Sequence, residues 1–375
     1  MRRAMLAAVG AATTLTLAAC GTNTTTRGEP PNKALATGVT TWAGAATHTV
    51  TLRFDLTPAT ARTLDRLDPG QKPITREQVQ ALTSGVFTLT IRRNGTPPVA
   101  KDPLAPTPAE LLATLTSETL DASFEYGGQT AADVRLAGGS LYARADVDRL
   151  AGLSDDPAAA RRALAAARAN KDLPSFVRKV IGPALDGQWV KIDGRDIAHA
   201  LSAALSLLKE VAPQIADRQA KQSADERTLM TDIVHTLLTV PTVARVGGSG
   251  VDDVLHVDIP VRTLVFALVS DVKRDLGSLP FIGSDGNAQD PIDGLSAMPD
   301  LHVPLDVTVR EGALSAVHLD LTRWLGTDLQ AKLHGATWGL ALGFSTAPAE
   351  ISEPAGATTM DISQLISDVE RSGLA

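Results

Sequence analysis

From Thr49 onward, apolar side chains recur at every second position. Val50, Leu52, Phe54 and Leu56 fall on one side of an extended chain, and Thr49, Thr51, Arg53 and Asp55 fall on the other. Successive side chains of a strand point to opposite faces, so this spacing predicts a strand with one apolar and one wet face. The alternation returns at Phe87, Leu89 and Ile91, at Leu120, Ala122, Phe124 and Tyr126, and at Val134 and Leu136. Gly127-Gly128 and Gly138-Gly139 separate the later runs, the second leading into Leu141-Tyr142-Ala143-Arg144-Ala145. Paired glycines suit the positive φ of tight hairpin turns, so these runs predict an antiparallel meander. Near the end of the chain Val303–Val309, Val317–Leu321 and Trp338–Phe344 alternate in the same way.

The middle of the chain has a helical period. Ile197, Leu201, Leu205, Leu208 and Val211 are spaced as one helix face, as are Leu229, Ile233, Val234 and Leu237, and Val261, Leu264, Leu268, Val272 and Leu276. Pro157–Ala169 is alanine-rich with three arginines and predicts an exposed helix. Ala59–Leu67 and Thr75–Leu82 predict short helices, the second opened by a capping box of Thr75 and Gln78. Gly139 to Asp146 and Gly187 to Asp193 each read as a glycine turn, a short strand and an aspartate before a helix. Duplication and two ordinary N-caps both account for that echo. Strands and helices segregated along the chain predict an α+β fold: a long curved antiparallel sheet of about ten strands packed against several amphipathic helices.

At the N-terminus Arg2 and Arg3 precede an apolar run from Ala4 to Leu17, and Leu17, Ala18 and Ala19 lead into Cys20. A charged start, a short apolar stretch and small residues make a secretory signal. The run is too short to span a bilayer, which needs roughly 20 residues. Cys20 is the one cysteine of the chain, and directly after the small residues it resembles the cysteine of a bacterial lipobox. That resemblance implies cleavage before Cys20, a diacylglyceryl thioether on its sulfur, and a partner in the outer, extracytoplasmic face of the cell membrane. The expected organisation is a signal over 1–19, a lipidated N-terminus and polar tether over 20–46, one α+β domain over 47–346, and a C-terminal tail over 347–375 with a short helix from Asp361 to Val369.

With Cys20 lipidated no thiol remains for a disulfide, so the body must hold by packing alone. The chain carries a formal charge of −7, and losing Arg2 and Arg3 with the signal makes it more acidic. An acidic surface argues against nucleic acid as a partner and against electrostatic adhesion to anionic lipid. Aromatic residues are 3% of the chain, which disfavours a sugar-binding platform.

The lipobox, polar tether, alternating meander, the Gly139–Asp146 element, Trp189-Val190-Lys191-Ile192-Asp193 and the strand pair around Arg310-Glu311-Gly312-Ala313-Leu314 together resemble actinobacterial cell-envelope lipoproteins of the LppX/LprG type. The resemblance covers most of 47–346 and departs at the helical stretch 155–240. It implies a curved antiparallel sheet wrapped around helices, with an apolar cavity that holds lipid acyl chains. By strand and helix phase, such a cavity would be lined by Val50, Leu52, Phe54, Phe124, Leu268 and Leu340.

The common catalytic and metal motifs do not occur in the sequence. Gly247-Gly248-Ser249-Gly250 lacks nucleophile-elbow spacing, and no His-Glu-x-x-His occurs. His302 and His318 are read as solvated histidines on neighbouring strands. Asp285–Asp290 lacks the glycine and the distal glutamate of a calcium loop. Asp155-Asp156 reads as a helix start and Asp252-Asp253 as a solvated strand start. No enzyme, cofactor or metal is expected. The expected function is binding or carriage of an apolar envelope molecule; the alternative is a structural or protein-interaction module with a filled core.

Overall fold

Alternation becomes cross-strand pairing in the computed structural model. It describes residues 28–66, 73–95, 107–170, 182–211, 236, 238–248, 251–276, 301–325, 327–333 and 336–361. Cys20 and the lipobox, most of the expected helix at 229–237, the 285–290 loop and the expected C-terminal helix beyond Asp361 lie outside these residues. The fold is α+β, as expected, with twelve described strands, all paired antiparallel except the last. The chain divides into two compact units, 1–45 with 214–319 and 46–213 with 320–375. Residues 47–346, expected as one domain, are distributed over both.

The larger unit holds β1 (Thr47–Leu56), β2 (Val86–Arg93), β3 (Glu118–Tyr126), β4 (Gln129–Ala137), β5 (Ser140–Ala145), β6 (Val190–Ile192), β11 (Trp338–Ser345) and β12 (Thr358–Met360). Their order is β12-β6-β5-β4-β3-β2-β1-β11. The meander turns as its glycines predict, with Gly127, Gly128, Gly138 and Gly139 all at positive φ between 57° and 75°. Register keeps like with like. Leu342 pairs with Leu52, Leu52 with Phe87, and Phe87 with Phe124. Two rows along, Ile91, Leu120, Leu136, Leu141 and Ile192 pair in succession. The opposite face carries an unbroken polar row through Ser345, Thr49, Thr90, Asp121, Arg135, Tyr142 and Lys191.

Helices close the ends of this unit. Arg76–Ser84 begins at the expected capping box, with the Thr75 hydroxyl accepting from the Gln78 amide and Gln78 answering. Helix Pro108–Ser117 has a second such box, Thr107 with Glu110. Asp146 caps Val147–Ala151, Asp156 caps Pro157–Ala169, and Gly194–Val211 follows Asp193. The Pro157–Ala169 helix has no buried residue, as its arginines imply.

The smaller unit is the meander β7 (Thr242–Gly247), β8 (Asp252–Pro260), β9 (His302–Arg310) and β10 (Ala313–Asp320), with helix Val261–Leu276 and helix Pro31–Ala43. The last of these corrects the tether. Residues 31–43 form a helix that starts on a proline at its first turn, where the missing N–H costs nothing. Ala34, Leu35, Trp42 and Ala43 are buried, as are Leu255, Val257, Val307 and Val309 of the strands. Gly38 lets the helix approach, since a Cβ there would press on the Val309 side chain. A free-running tether therefore ends by Pro30. The sequence signal was present: Ala34, Leu35, Gly38 and Trp42 share one helix face behind Pro30-Pro31.

Among the described residues no helix is long and apolar enough to cross a membrane.

Candidate functional site: the two faces of the larger sheet

An alternating strand ordinarily buries its apolar face and wets the other. In the larger unit neither face is uniformly covered. Most apolar residues of the alternating face of β1, β2, β3, β4, β5 and β11 are half-buried, and Tyr126 is buried. Val50, Leu52, Phe54, Phe87, Phe124 and Leu340 are all half-buried, and Val134 is 36% exposed. The smaller unit provides the contrast, with Leu255 and Val309 each 0% exposed beneath helix Pro31–Ala43.

The structure brings five of the six expected lining residues onto this one face. Phe54 pairs with Leu340 across β1 and β11, Val50 and Leu52 continue β1, and Phe124 follows through Phe87. Leu268 belongs to the smaller unit, on Val261–Leu276, and is half-buried there. Tyr126 lies beside Phe124 on this face, ring centres 5.8 Å apart, and is 2% exposed there, donating to the Arg149 carbonyl at 2.9 Å.

The polar face, expected to be wet, is covered around Asp133 and Tyr142, while Arg53, Asp55 and Arg92 stay exposed. Asp133 is 2% exposed and Tyr142 1%. Asp133 lies between Arg135 and Arg144 at 3.1 and 3.3 Å. Both guanidinium groups rest on the Trp189 ring, 5.0 and 4.7 Å from its centre. This cover follows from topology. β11 and β12 stand at opposite ends of the order, so residues 346–357 must cross about 34 Å at ~4.8 Å per strand. Twelve residues span that only when nearly extended, at about 3.3 Å each. The strap is pinned where Tyr142 donates to Glu353 at 2.6 Å, where the Thr358 amide donates to the Trp189 carbonyl at 2.8 Å, and where β12 pairs with β6. Glu353 also occupies the space a Cβ at Gly138 would need.

Burial, with the Asp133 hydrogen bond and charge, raises the Asp121 carboxyl to about 6 against the pull of Arg135 and Arg144. Burial and then Glu353 push the Tyr142 phenol up to about 12, and burial also raises Tyr126. The chain has two tyrosines in all. The native protein is therefore expected to show less phenolate absorbance at about pH 10 than the unfolded chain, whose tyrosines are half-ionised there. A raised phenol pKa stabilises the fold below the unfolded value and loses that contribution as pH climbs through the folded one. Phenolate should therefore appear together with alkaline unfolding. A native midpoint near the ordinary value would contradict both placements.

A polar groove of about 660 Å³ opens beside β4 and β5, lined in part by Gln129, Arg144, Asp146, Asp148, Arg168 and Asp186. Its charges are already engaged. Arg168 donates to Asp148 at 2.9 Å and to the Leu185 carbonyl at 2.7 Å, and holds the Asp148 carboxyl below its usual range. Asp146 accepts from the Arg149 amide as a helix cap. An apolar molecule has no place in such a groove.

The remaining polar candidates are structural. His302 and His318 are not cross-strand neighbours: His302 pairs with Pro260 and contacts Asp258 at 2.6 Å, while His318 pairs with Asp306. Asp252 meets Arg310 at the surface at 2.6 Å. Asp253 is not solvated as expected. It is 3% exposed and held by Arg245 at 2.7 Å, because its strand phase turns it inward with Leu255 and Val257. Among the described residues no group of three histidine, cysteine, aspartate or glutamate side chains is placed to hold a metal ion.

No family model matches the chain, and no curated protein matches it. Among solved structures it is similar to the crystal structure of the Mycobacterium tuberculosis lipoprotein LppX. That match has 10% sequence identity and a TM-score of 0.29, covering 86% of this chain and 97% of that one. Superposition at that level is loose.

Proposed function

We propose that the chain is a lipoprotein anchored through Cys20 on the outer face of the cell membrane, and that it binds or carries an apolar envelope molecule such as a lipid. The observation that carries this reading is the contiguous, half-buried apolar face of the larger unit. A contiguous apolar surface of this kind marks a binding site more often than a solvent boundary. The arrangement suits acyl chains, which need no polar partner and are recognised by area alone. Each methylene removed from water contributes about 0.8 kcal/mol, while association costs 4–15 kcal/mol. Ten methylenes only offset that cost, so long acyl chains are expected to be retained and short ones lost. The polar face, strapped around Asp133 and Tyr142, gives the sheet a rigid back.

The test is native mass spectrometry of the chain from residue 20 onward with Cys20→Ser, incubated with envelope lipid extract. Adducts of long-chain lipid are the expected result. A bare chain throughout would end the carrier reading and leave a structural or protein-interaction module. The anchor is tested separately: Cys20→Ser in the full chain should release it from membranes that withstand carbonate washing. Equal retention of the serine variant would contradict lipidation at Cys20.

A further inference from the structure

We propose that the β7–β8 hairpin of the smaller unit touches the lipid bilayer through Val246 and Val251, which flank its tip. This rests on the reading that Cys20 is lipidated. The two valines are the most exposed large apolar side chains among the described residues, at 60% and 50%. Exposed apolar residues on a hairpin tip have no packing role in their own unit, and what covers them is set by what the tip faces.

The position of the anchor says what that is. Arg245, next to Val246, donates from Nη2 to the Glu29 carbonyl at 3.0 Å. Glu29 stands nine residues after Cys20. Nine residues reach about 31 Å at full extension and average about 17 Å as a flexible chain. Helix Pro31–Ala43, packed on its own unit from Pro31 onward, removes the longer tether the sequence suggested. The end of the unit that carries Glu29 is thus the end held nearest the lipid, and the hairpin tip is on that end.

The chemistry of the tip selects apolar contact over charge attraction. Its cations are paired within the unit: Arg245 with Asp253 at 2.7 Å, Arg310 with Asp252 at 2.6 Å, and Lys33 with Glu29 at 3.1 Å. Glu311, exposed on the adjoining turn, adds a negative charge. Apolar contact through the two valines does not itself depend on salt. Two valines bury far less than one acyl chain, and one acyl chain already holds only marginally. The hairpin therefore orients a chain that is already tethered and does not recruit it.

The experiment uses the mature lipidated chain in vesicles of phosphatidylethanolamine and phosphatidylglycerol. Val246→Cys supplies a thiol for an environment-sensitive fluorophore, since a lipidated Cys20 has none to offer. Leu301→Cys, exposed beside His302 at the far end of β8 and β9, is the control. Doxyl-labelled lipid is expected to quench the label at 246 several-fold more than at 301, and Val251→Asp should reduce the difference while the chain still floats with the vesicles. Equal quenching at both positions in a floating chain would overturn the proposal. Self-quenching between labels at 246 would do so too, assigning the tip to a second copy of the chain. A chain that takes up two labels and does not float has a free Cys20; that outcome overturns the anchor reading and, through it, this one.

Discussion

Leu52→Asp is expected to abolish retention of acyl lipid while leaving the protein folded. Leu52 sits mid-face between Leu342 and Phe87, and all three are half-buried rather than sealed in a core. A carboxylate at this position stays solvated in the empty protein, so the fold should lose no more than about 1–2 kcal/mol, within the ordinary range for a point mutant. Seating an acyl chain against it requires stripping that solvation, which costs several kcal/mol for an unpaired charge and cancels the gain from the methylenes. Leu255→Asp is the opposite case. Leu255 is 0% exposed, and an unpaired carboxylate there should unfold the smaller unit. Lipid adducts by mass spectrometry and thermal melts of both variants read the two effects. If Leu52→Asp melts as early as Leu255→Asp, the face is a filled core and the binding reading falls.

Asp133→Ala is expected to give the largest stability loss on the polar face. Removing it leaves Arg135 and Arg144 stacked on Trp189 without the carboxylate between them. Breaking one side of a buried ion pair costs 3–5 kcal/mol. Both arginines keep some water contact, which favours about 3 kcal/mol, or a drop of roughly 6–12 °C in Tm for a unit of this size. Asp133→Asn should recover part of the loss by hydrogen bonding. A melt unchanged by Asp133→Ala would mean that the arginines have other partners.

The neighbouring Asp121 gives the pH dependence. Its carboxyl is raised to about 6 from 3.8, so the folded state holds a proton that the unfolded state has released across that window. By linkage, stability from this group is full below 3.8 and is lost as pH rises to about 6. Asp121→Asn should flatten that part of the stability profile and raise stability at neutral pH. A wild-type curve that rises with pH over the same window and is unchanged by Asp121→Asn would contradict the placement of this carboxyl.

The sequence by itself determined the elements and their faces. Period two placed Val50, Leu52 and Phe54 on one side and Thr49, Thr51 and Arg53 on the other. Gly127-Gly128 and Gly138-Gly139 placed the hairpins, and Thr75, Asp146 and Asp156 placed helix starts. Each of these is a local matter of side-chain direction, backbone φ or one hydrogen bond to the next turn. Helix Pro31–Ala43 was also locally encoded, but its proline pair and polar surroundings read as a tether. What only the tertiary structure decided is which part of each face is covered. Alternation marks two faces but does not say what lies over either. That depended on a chain segment of no evident pattern, 346–357, having to cross from one end of the larger unit's strand order to the other, and on Trp189 lying over two arginines far from it in sequence. Asp253 was misread for the same reason: its strand phase pointed inward, but only Arg245, placed opposite it by the β7–β8 register, makes a buried carboxylate tolerable there.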